Sequence, residues 1–253
     1  MMIEAKKMST GVKWKLMDIH THILPDIDDG AGDIEEMTKM IAQADEEGIS
    51  VIIATPHYGI SNPAYDPAKA QEALKTARQV LRESYPHIRM FMGNELYYSP
   101  GIIEDLKSGR ALTIGGTDYV LVEFPTDIAF DQLTAAVRAF CSEGYRPVVA
   151  HVERYSCLFR ELDRVHELIS LGAYTQVNAR GFLAGRFDRR GGWCRNLLKD
   201  GVVHFVASDC HNSSTRNPVM RSAVEAMLKT AGEEKVKQIV NTNIIKLIRN
   251  EFI

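Results

Sequence analysis

Short runs of branched apolar residues recur along the chain, and each is followed by a stretch with helical periodicity. The runs are WKLMDIH, SVIIATPH, IRMFMGNE, DYVLVEF, RPVVAH, AYTQVNA and VHFVASD. Several are continuous in Val, Ile and Leu, which is typical of strands buried on both faces of a sheet. Their ends are spaced by roughly 30 residues, the length of one βα unit. The pattern predicts seven β-then-α units and a parallel sheet.

The stretches between these strands carry helix boundary signals. DIEEMTKMIAQADEEG begins with Asp33 as an N-cap and ends with Gly48 as a C-cap. Two later helices are predicted to end at Gly144 and Gly172. We expect the sheet to close into a barrel, with an open doubly wound sheet as the alternative. No Pro/Ser-rich linker divides the chain, so residues 17–253 are predicted to form a single domain.

Composition excludes several classes of protein. The chain of 253 residues has a net charge of −3 and a pI of about 6.3, which argues against nucleic acid as a partner, although an average can hide a local basic patch. Its four cysteines form no C-x-x-C pair, and no apolar run is long enough to span a membrane. The N-terminus is not a convincing secretory signal. We therefore expect a cytoplasmic protein without a disulfide scaffold.

Residues that bind metals stand at the ends of six predicted strands. They are His20, His22, His57, Glu95, Glu123, His151, Asp209 and His211, with Asp28 and Asp29 in the loop after the first strand. The strands of a parallel barrel all open to one mouth, so these side chains are expected to converge. Side chains at i and i+2 of a strand share a face, which lets His20 and His22 reach one point.

This mixture of imidazoles and carboxylates suits Zn, Mn or Fe. The number of candidates exceeds the ligands that one ion takes, which favours two or three ions that share carboxylates. Glu123, on the central strand, is the predicted bridge. The remaining histidines, His87, His166 and His204, are expected to be ordinary surface or core residues.

The stretch VASDCHNSSTR offers a competing chemistry, because Cys210 and Arg216 have the C-x5-R spacing of thiolate phosphatases. The intervening HNSST has no glycine for a phosphate-cradling backbone. The neighbouring Asp209 should raise the thiol pKa, and strand alternation turns Cys210 away from a mouth that Asp209 and His211 face. We therefore expect Cys210 to be buried and to take no part in catalysis. Arg216 and Arg154 stay candidates to clamp a phosphate, against the alternative of solvated surface arginines.

The sequence motifs at the predicted strand ends resemble those of a known family. DIHTHILPDIDDGA, IIATPHY, GNELYY, VLVEFP, VVAHVERY, QVNA and ASDCHN together resemble the PHP (polymerase and histidinol phosphatase) superfamily, and within it the CpsB/YwqE branch of manganese-dependent bacterial protein tyrosine phosphatases. The resemblance implies a distorted (β/α)7 barrel with a trinuclear metal site. The implied metal ligands are His20, His22, Asp29, His57, Glu95, Glu123, His151, Asp209 and His211, and the implied phosphate-binding residues are Arg154 and Arg216.

The resemblance also implies a reaction and a setting. The expected cofactor is Mn2+, in two or three ions, with Fe or Zn as alternatives. A metal-bound hydroxide would attack phosphorus in line while the arginines hold the phosphoryl oxygens. The implied substrate is phosphotyrosine on the tail of a bacterial tyrosine autokinase that regulates capsule or exopolysaccharide synthesis. Aromatic residues beside the ligands are candidates to line a slot for the ring: Tyr58, Tyr97, Tyr98, Phe124 and Tyr155.

Several questions stay open from the sequence. A PHP-type phosphatase acting on a small molecule such as histidinol phosphate would have the same metal site. A barrel-type nuclease is disfavoured by the acidic net charge, and a non-catalytic metal-binding protein by the complete ligand set. A homo-oligomer is compatible with the resemblance. Residues 1–16 are predicted to be an N-terminal extension, disordered or added by cloning, with no implied role.

Overall fold

Parallel strands and helices alternate along the chain in a computed structural model that describes residues 14–185 and 187–253. The strands are β1 (Leu16–Thr21), β2 (Ile49–Ala54), β3 (His57–Tyr58), β4 (Arg89–Met92), β5 (Glu95–Tyr97), β6 (Tyr119–Glu123), β7 (Arg146–Val149), β8 (Tyr174–Asn178) and β9 (Phe205–Ala207). The helices are α1 (Ile34–Glu47), α2 (Pro67–Ser84), α3 (Ile102–Lys107), α4 (Phe130–Ser142), α5 (Leu162–Ser170), α6 (Arg189–Asp200), α7 (Arg221–Ala231), α8 (Glu233–Lys237) and α9 (Asn243–Ile248).

The strands form seven lines that curl into a distorted barrel. β2 continues into β3 and β4 into β5, so the pairing order runs β1, β2/β3, β4/β5, β6, β7, β8, β9. The last line returns to the first, where the N–H of His22 donates to the carbonyl of Cys210 at 2.8 Å and that of Asp209 to His20 at 3.0 Å. The prediction of a seven-unit barrel is confirmed, and the open doubly wound alternative is wrong.

The helices begin and end where the sequence has capping residues. The Asp33 side chain accepts the N–H of Glu36 at 2.8 Å, and Gly48 closes α1 in the left-handed region at φ 82°. Helix α1 buries one face against the sheet through Met37, Met40, Ile41 and Ala44. Among the described helices, none has both the length and the apolar character that crossing a bilayer requires.

Apolar side chains fill the end of the barrel where the strands begin. The inward-facing residues there include Ile19, Val51, Ile53, Leu121, Val148 and Phe205. Helix α9 closes this end with Ile244 and Leu247, and the Tyr119 hydroxyl donates to the Glu251 carbonyl at 2.7 Å. With this end filled and covered, the polar side chains of the same strands are left to the opposite end.

The start of the chain is described only from Trp14. Trp14 packs against the core, and Leu16, fully buried, opens β1. The barrel therefore begins at Leu16. The part of the predicted extension that concerns residues 1–13 lies outside the described residues.

Candidate metal centre

Side chains predicted to bind metal meet at the mouth where the strands end. Three overlapping groups each hold potential ligand atoms within 4.8 Å of one another. The groups are His22, Asp29, His57 and His211; His20, His22 and Glu95; and His57, Glu95 and Glu123. The convergence arises because strands far apart in sequence deliver their last residues to one opening.

The deepest group surrounds the carboxylate of Glu95. His20 Nε2 lies 3.2 Å from Glu95 Oε1, and His22 Nε2 lies 3.2 Å from Glu95 Oε2. Asp209 Oδ1 completes the group, at 3.5 Å from His20 Nε2 and 3.7 Å from His22 Nε2. All four residues are almost completely buried. Four buried donors thus face one point from three strand lines.

The outer nitrogens of the two histidines show which atoms face that point. His22 Nδ1 lies 2.6 Å from Asp28 Oδ2, and His20 Nδ1 lies 3.2 Å from Gln176 Oε1. Both partners are acceptors, which assigns a proton to Nδ1 of each ring. The two Nε2 atoms lie 3.2 Å apart, and each also lies 3.2 Å from a Glu95 oxygen. A metal ion bound by both nitrogens fits this arrangement, because the outer contacts orient the two imidazoles as ligands.

A second group lies between β3, β5, β6 and the end of β7. His57 Nδ1 is 3.0 Å from Glu95 Oε2, yet neither atom makes a hydrogen bond. His151 Nε2 lies 3.1 Å from Glu95 Oε1 and 3.4 Å from Glu123 Oε1. Glu95 belongs to two groups and Glu123 to one. Glu95 is thus the carboxylate common to two of these groups. The bridging role of Glu123 stays a prediction.

The outermost group covers the mouth. Asp29 Oδ1 lies 3.4 Å from His57 Nε2 and 3.4 Å from His211 Nε2. The Asp29 side chain is 63% exposed, whereas the His211 ring is buried and stacks on His22 with centroids 3.8 Å apart. Asp29 is therefore the member of the groups that is most exposed to solvent.

The acids and imidazoles of the site shift one another's pKa values. Burial alone would raise the pKa of Glu95, but the imidazoles of His20 and His151 hold that pKa well below its ordinary value. Burial alone would lower the pKa of His151, but hydrogen bonds to Glu123 and Glu95 raise that pKa to about 9. The Glu95 carboxylate is thus kept ionised, the state in which it binds metal.

Two of these residues lie where the backbone turns out of the strands. His151, just beyond β7, has φ 34°, and Asp209, just beyond β9, has φ 53°. Left-handed conformations are unfavourable for residues with a Cβ and collect at functional sites. Both Asp209 and His211 reach the mouth, as predicted. Because the backbone turns at Asp209, their direction does not follow from strand alternation.

The loop after β1 requires glycine. A Cβ on Gly30 would lie 2.0 Å from the carbonyl oxygen of His22. This close approach brings Asp28 under the ring of His22, where its carboxylate also accepts the N–H groups of Gly30 at 3.0 Å and His57 at 2.9 Å. Asp28 is thus an orienting residue, and its neighbour Asp29 faces the mouth.

Both predicted arginines line the cavity above the donor groups. The cavity has a volume of about 320 Å³. Arg154 Nη2 donates to Asp209 Oδ2 at 2.6 Å, and Arg216 Nη2 donates to Asp209 Oδ1 at 3.1 Å. Their side chains are 32% and 40% exposed, so they also face the open space. Guanidinium groups so placed can bind an anion that enters the cavity.

The sequence reasoning missed a supporting network on β8. Gln176 Oε1 accepts the N–H of His151 at 2.8 Å, and Gln176 Nε2 donates to Asn178 Oδ1 at 2.8 Å. Asn178 Nδ2 donates to Asp209 Oδ2 at 2.7 Å. The sequence did contain a signal for this network. Gln176 and Asn178 are two positions apart in a strand predicted to be buried, and buried polar groups need partners.

The cysteine interpretation fails in the structure. Cys210 is completely buried and lines none of the cavities at the mouth, and burial raises the pKa of its thiol. Its flanking residues Asp209 and His211 line the cavity, as the sequence predicted. A thiol that is protonated and out of reach is no nucleophile.

The aromatic prediction is wrong for two of its five residues and stays a prediction for the other three. Phe124 and Tyr155 are buried in the core, where the Tyr155 hydroxyl accepts the N–H of Phe124 at 3.1 Å. They do not line a slot for a ring. Tyr58, Tyr97 and Tyr98 are partly exposed near the mouth.

The histidines outside the cluster behave as expected. His87 lies 2.6 Å from Asp45 and His166 lies 2.5 Å from Asp200, both at the surface. His204 is half-buried against Thr175. None of the three belongs to a donor group among the described residues.

A parallel barrel that gathers several imidazoles and carboxylates beneath a pair of arginines is the arrangement of a metal-dependent hydrolase with a place for phosphate. The chain belongs to the CpsB/CapC family of capsular polysaccharide synthesis, whose match covers residues 16–249. The resemblance found in the sequence motifs is confirmed.

The relatives are of similar length. The chain is 33% identical over 240 residues to the tyrosine-protein phosphatase YwqE of Bacillus subtilis (strain 168), covering 94% of this chain and 93% of that protein. It is 31% identical over 248 residues to the tyrosine-protein phosphatase CpsB of Streptococcus agalactiae, covering 94% and 100%. Among solved structures, it matches that described as YwqE from Bacillus subtilis and CpsB from Streptococcus pneumoniae, metal-dependent tyrosine phosphatases, with a TM-score of 0.84, 32% identity and coverage of 94% and 96%.

Proposed function

We propose that this protein is a metal-dependent tyrosine phosphatase. The observation that carries the proposal is the placement of Arg154 and Arg216 on Asp209, directly above three overlapping groups of metal-ligand atoms. The names and metal dependence of the relatives support the same reaction. A small-molecule phosphatase and a nuclease are the enzymes against which the proposal is to be tested.

The donor groups fit metal ions. The converging Nε2 atoms of His20 and His22, and the unbonded close approach of His57 to Glu95, are contacts that cations would satisfy. The proposed ligands are His20, His22, Asp29, His57, Glu95, Glu123, His151, Asp209 and His211. Bound cations would supply a water nucleophile at neutral pH and neutralise charge on the phosphoryl group. Mn2+ in two or three ions is our first choice, and the ligand types also suit Fe and Zn.

The protein's own groups bind and orient the phosphate. Arg154 and Arg216 present N–H donors to the cavity and would exchange part of their contact with Asp209 for phosphoryl oxygens. Gln176 and Asn178 hold His151 and Asp209 in place meanwhile. A tyrosine leaves as a phenolate with a pKa of about 10, so no strong general acid is needed. No covalent intermediate on the protein is required.

We further propose a physiological setting. The substrate would be phosphotyrosine on a tyrosine autokinase that regulates capsule or exopolysaccharide synthesis, in the cytoplasm. The description of the family supports a role in capsular polysaccharide synthesis. In this proposal residues 17–253 act as one catalytic domain, and residues 1–16 have no part in the reaction.

The proposal is tested by metal removal and by Arg216→Ala. EDTA should abolish hydrolysis of a phosphotyrosine peptide, and Mn2+ should restore it. Arg216→Ala should lower kcat/KM by about 10²-fold, the cost of removing one positioned donor from a charged transition state, while bound metal measured by elemental analysis stays constant. Arg82→Ala, an exposed arginine on α2, is the matched control.

Three outcomes would contradict it. Turnover that survives EDTA would exclude metal dependence. Faster turnover of histidinol phosphate than of the peptide would indicate a small-molecule phosphatase. Degradation of DNA with no hydrolysis of the peptide would indicate a nuclease.

A further inference from the structure

Basic side chains continue beyond the metal centre along one side of the mouth. Arg154 lines both the metal-centre cavity and a neighbouring cavity of about 690 Å³. A further cavity of about 370 Å³ adjoins the second one through Phe187, Asp188 and Arg189. We call these two outer cavities the arginine face. Its basic side chains are Arg154, Arg160, Arg189, Arg190, Arg195 and Lys199.

The arginine face carries an excess of positive charge. Its acidic side chains are Glu153 and Asp188. Asp188 caps α6 by accepting the N–H of Gly191 at 2.6 Å, and Glu153 is only 4% exposed. In the part of the chain that the structure describes, Arg189 and Arg190 form no ion pair, whereas Arg154 is paired with Asp209. Charges left unpaired beside a reaction site favour an anionic ligand.

Aromatic rings accompany the charges. The guanidinium carbons of Arg160 and Arg189 lie 5.4 Å and 5.8 Å from the centre of the Phe159 ring. Phe187 is 94% exposed beside them. Rings next to guanidinium groups suit a peptide, which offers both side-chain surface and anions, better than a free inorganic ion.

Of the exposed acidic residues, Asp29 lines the metal-centre cavity but neither of the two outer cavities. The arginine face is continuous with the metal-centre cavity through Arg154. An anionic peptide whose phosphotyrosine enters the metal-centre cavity is therefore attracted towards the arginine face. The net charge of −3 conceals this local excess of positive charge.

We propose that the arginine face is a second anion-binding subsite, which takes a carboxylate or a second phosphate of the same peptide that presents its phosphotyrosine to the metal centre. This inference rests on the proposed phosphatase function and specifies its substrate class as acidic or multiply phosphorylated peptides.

The test compares three phosphotyrosine peptides of equal length with p-nitrophenyl phosphate as the reference substrate. One peptide has neutral flanks, one has two glutamates and one has a second phosphotyrosine. The wild type should prefer each anionic peptide over the neutral one by about tenfold in kcat/KM, mainly through KM, and salt should weaken the preference. R189Q/R190Q should reduce the preference to about twofold or less. R82Q/R138Q, which removes the same charge from exposed positions on α2 and α4, should keep it.

Binding of the same peptides, followed by fluorescence anisotropy, separates this inference from the proposed function. If no aryl phosphate is hydrolysed but R189Q/R190Q still weakens binding of the anionic peptides, the phosphatase function fails and the subsite stands. A preference that R189Q/R190Q leaves unchanged in both assays overturns the subsite. Loss of binding to phosphatidylserine vesicles in R189Q/R190Q, with the peptide preference intact, would assign the face to a membrane surface instead.

Discussion

The two ends of the barrel both contain completely buried side chains but are chemically opposite, although the same strands run through both. β1 supplies Ile19 to the closed end and His20 to the mouth, and both side chains are completely buried. The closed end is held together by apolar packing, which needs no partner groups. At the mouth, an ionised carboxylate such as Glu95 is stable only because imidazoles surround it. Burial alone therefore does not tell structural from functional positions; the pairing of polar atoms does.

The largest effect is expected from Glu95→Gln. The substitution keeps the shape of the side chain but removes the charge shared by two donor groups. Bound metal should be lost, and kcat/KM on a phosphotyrosine peptide should fall by about 10³-fold, because several kcal/mol of charge stabilisation disappear. Elemental analysis and steady-state kinetics measure the two losses. A variant that keeps both its metal and its turnover would refute the central place of Glu95.

Leu247→Ala makes the converse change at the closed end. Leu247 is completely buried in the cluster beneath the barrel, so the cavity should cost about 2–5 kcal/mol in the free energy of unfolding. Metal content and kcat/KM of the folded protein should stay within about twofold of the wild type. Urea denaturation measures the first effect.

Leu183→Ala, the same change at a side chain that is 41% exposed, is the control and should cost under about 0.5 kcal/mol. A large fall in turnover for folded Leu247→Ala would show that the two ends are not independent.

Asp28→Asn tests whether the mouth depends on residues behind the ligands. The carboxylate that holds His22 Nδ1 at 2.6 Å would become a neutral amide, so metal affinity should drop by about 10–100-fold. Saturating Mn2+ should recover most of the turnover, which a Mn2+ titration of activity would show. Asp26→Asn is the matched control, since Asp26 lies in the same loop but pairs with Lys69 at 2.8 Å. Equal effects of the two variants would remove Asp28 from this role.

The smallest effect is expected from Cys210→Ser. The thiol lies between two residues that line the metal-centre cavity, but it is completely buried and does not line that cavity. Turnover should stay within about threefold of the wild type, because a protonated, buried thiol outside the cavity takes no part in the reaction. A loss of several orders of magnitude in kcat/KM would restore the thiolate mechanism.

Much of the fold could be predicted because its signals are local. Runs such as DYVLVEF and caps such as Asp33 and Gly48 need only their neighbours to form a strand or a helix boundary. The division of two strand lines at Pro56 and at Gly93–Asn94 was not predicted, since it depends on which neighbouring strand each half pairs with. Proline lacks the N–H that would continue the ladder.

The candidate site could be predicted as a set but not as an arrangement. Asp28 and Asp29 are chemically identical neighbours, and the close packing of Gly30 on His22 decides which of them faces the mouth. The same holds for Glu95 and Glu123, of which only the first lies between two donor groups.

The sequence by itself determined the barrel, the residue types at its mouth and the family, because strand periodicity and the order of motifs are written along the chain. Only the tertiary structure decided which carboxylate is shared, which aspartate orients a histidine, and that Arg189 and Arg190 join Arg154 on one face. These outcomes depend on distances between residues far apart in the chain, and such distances are set by how the strands twist, pair and turn at their ends.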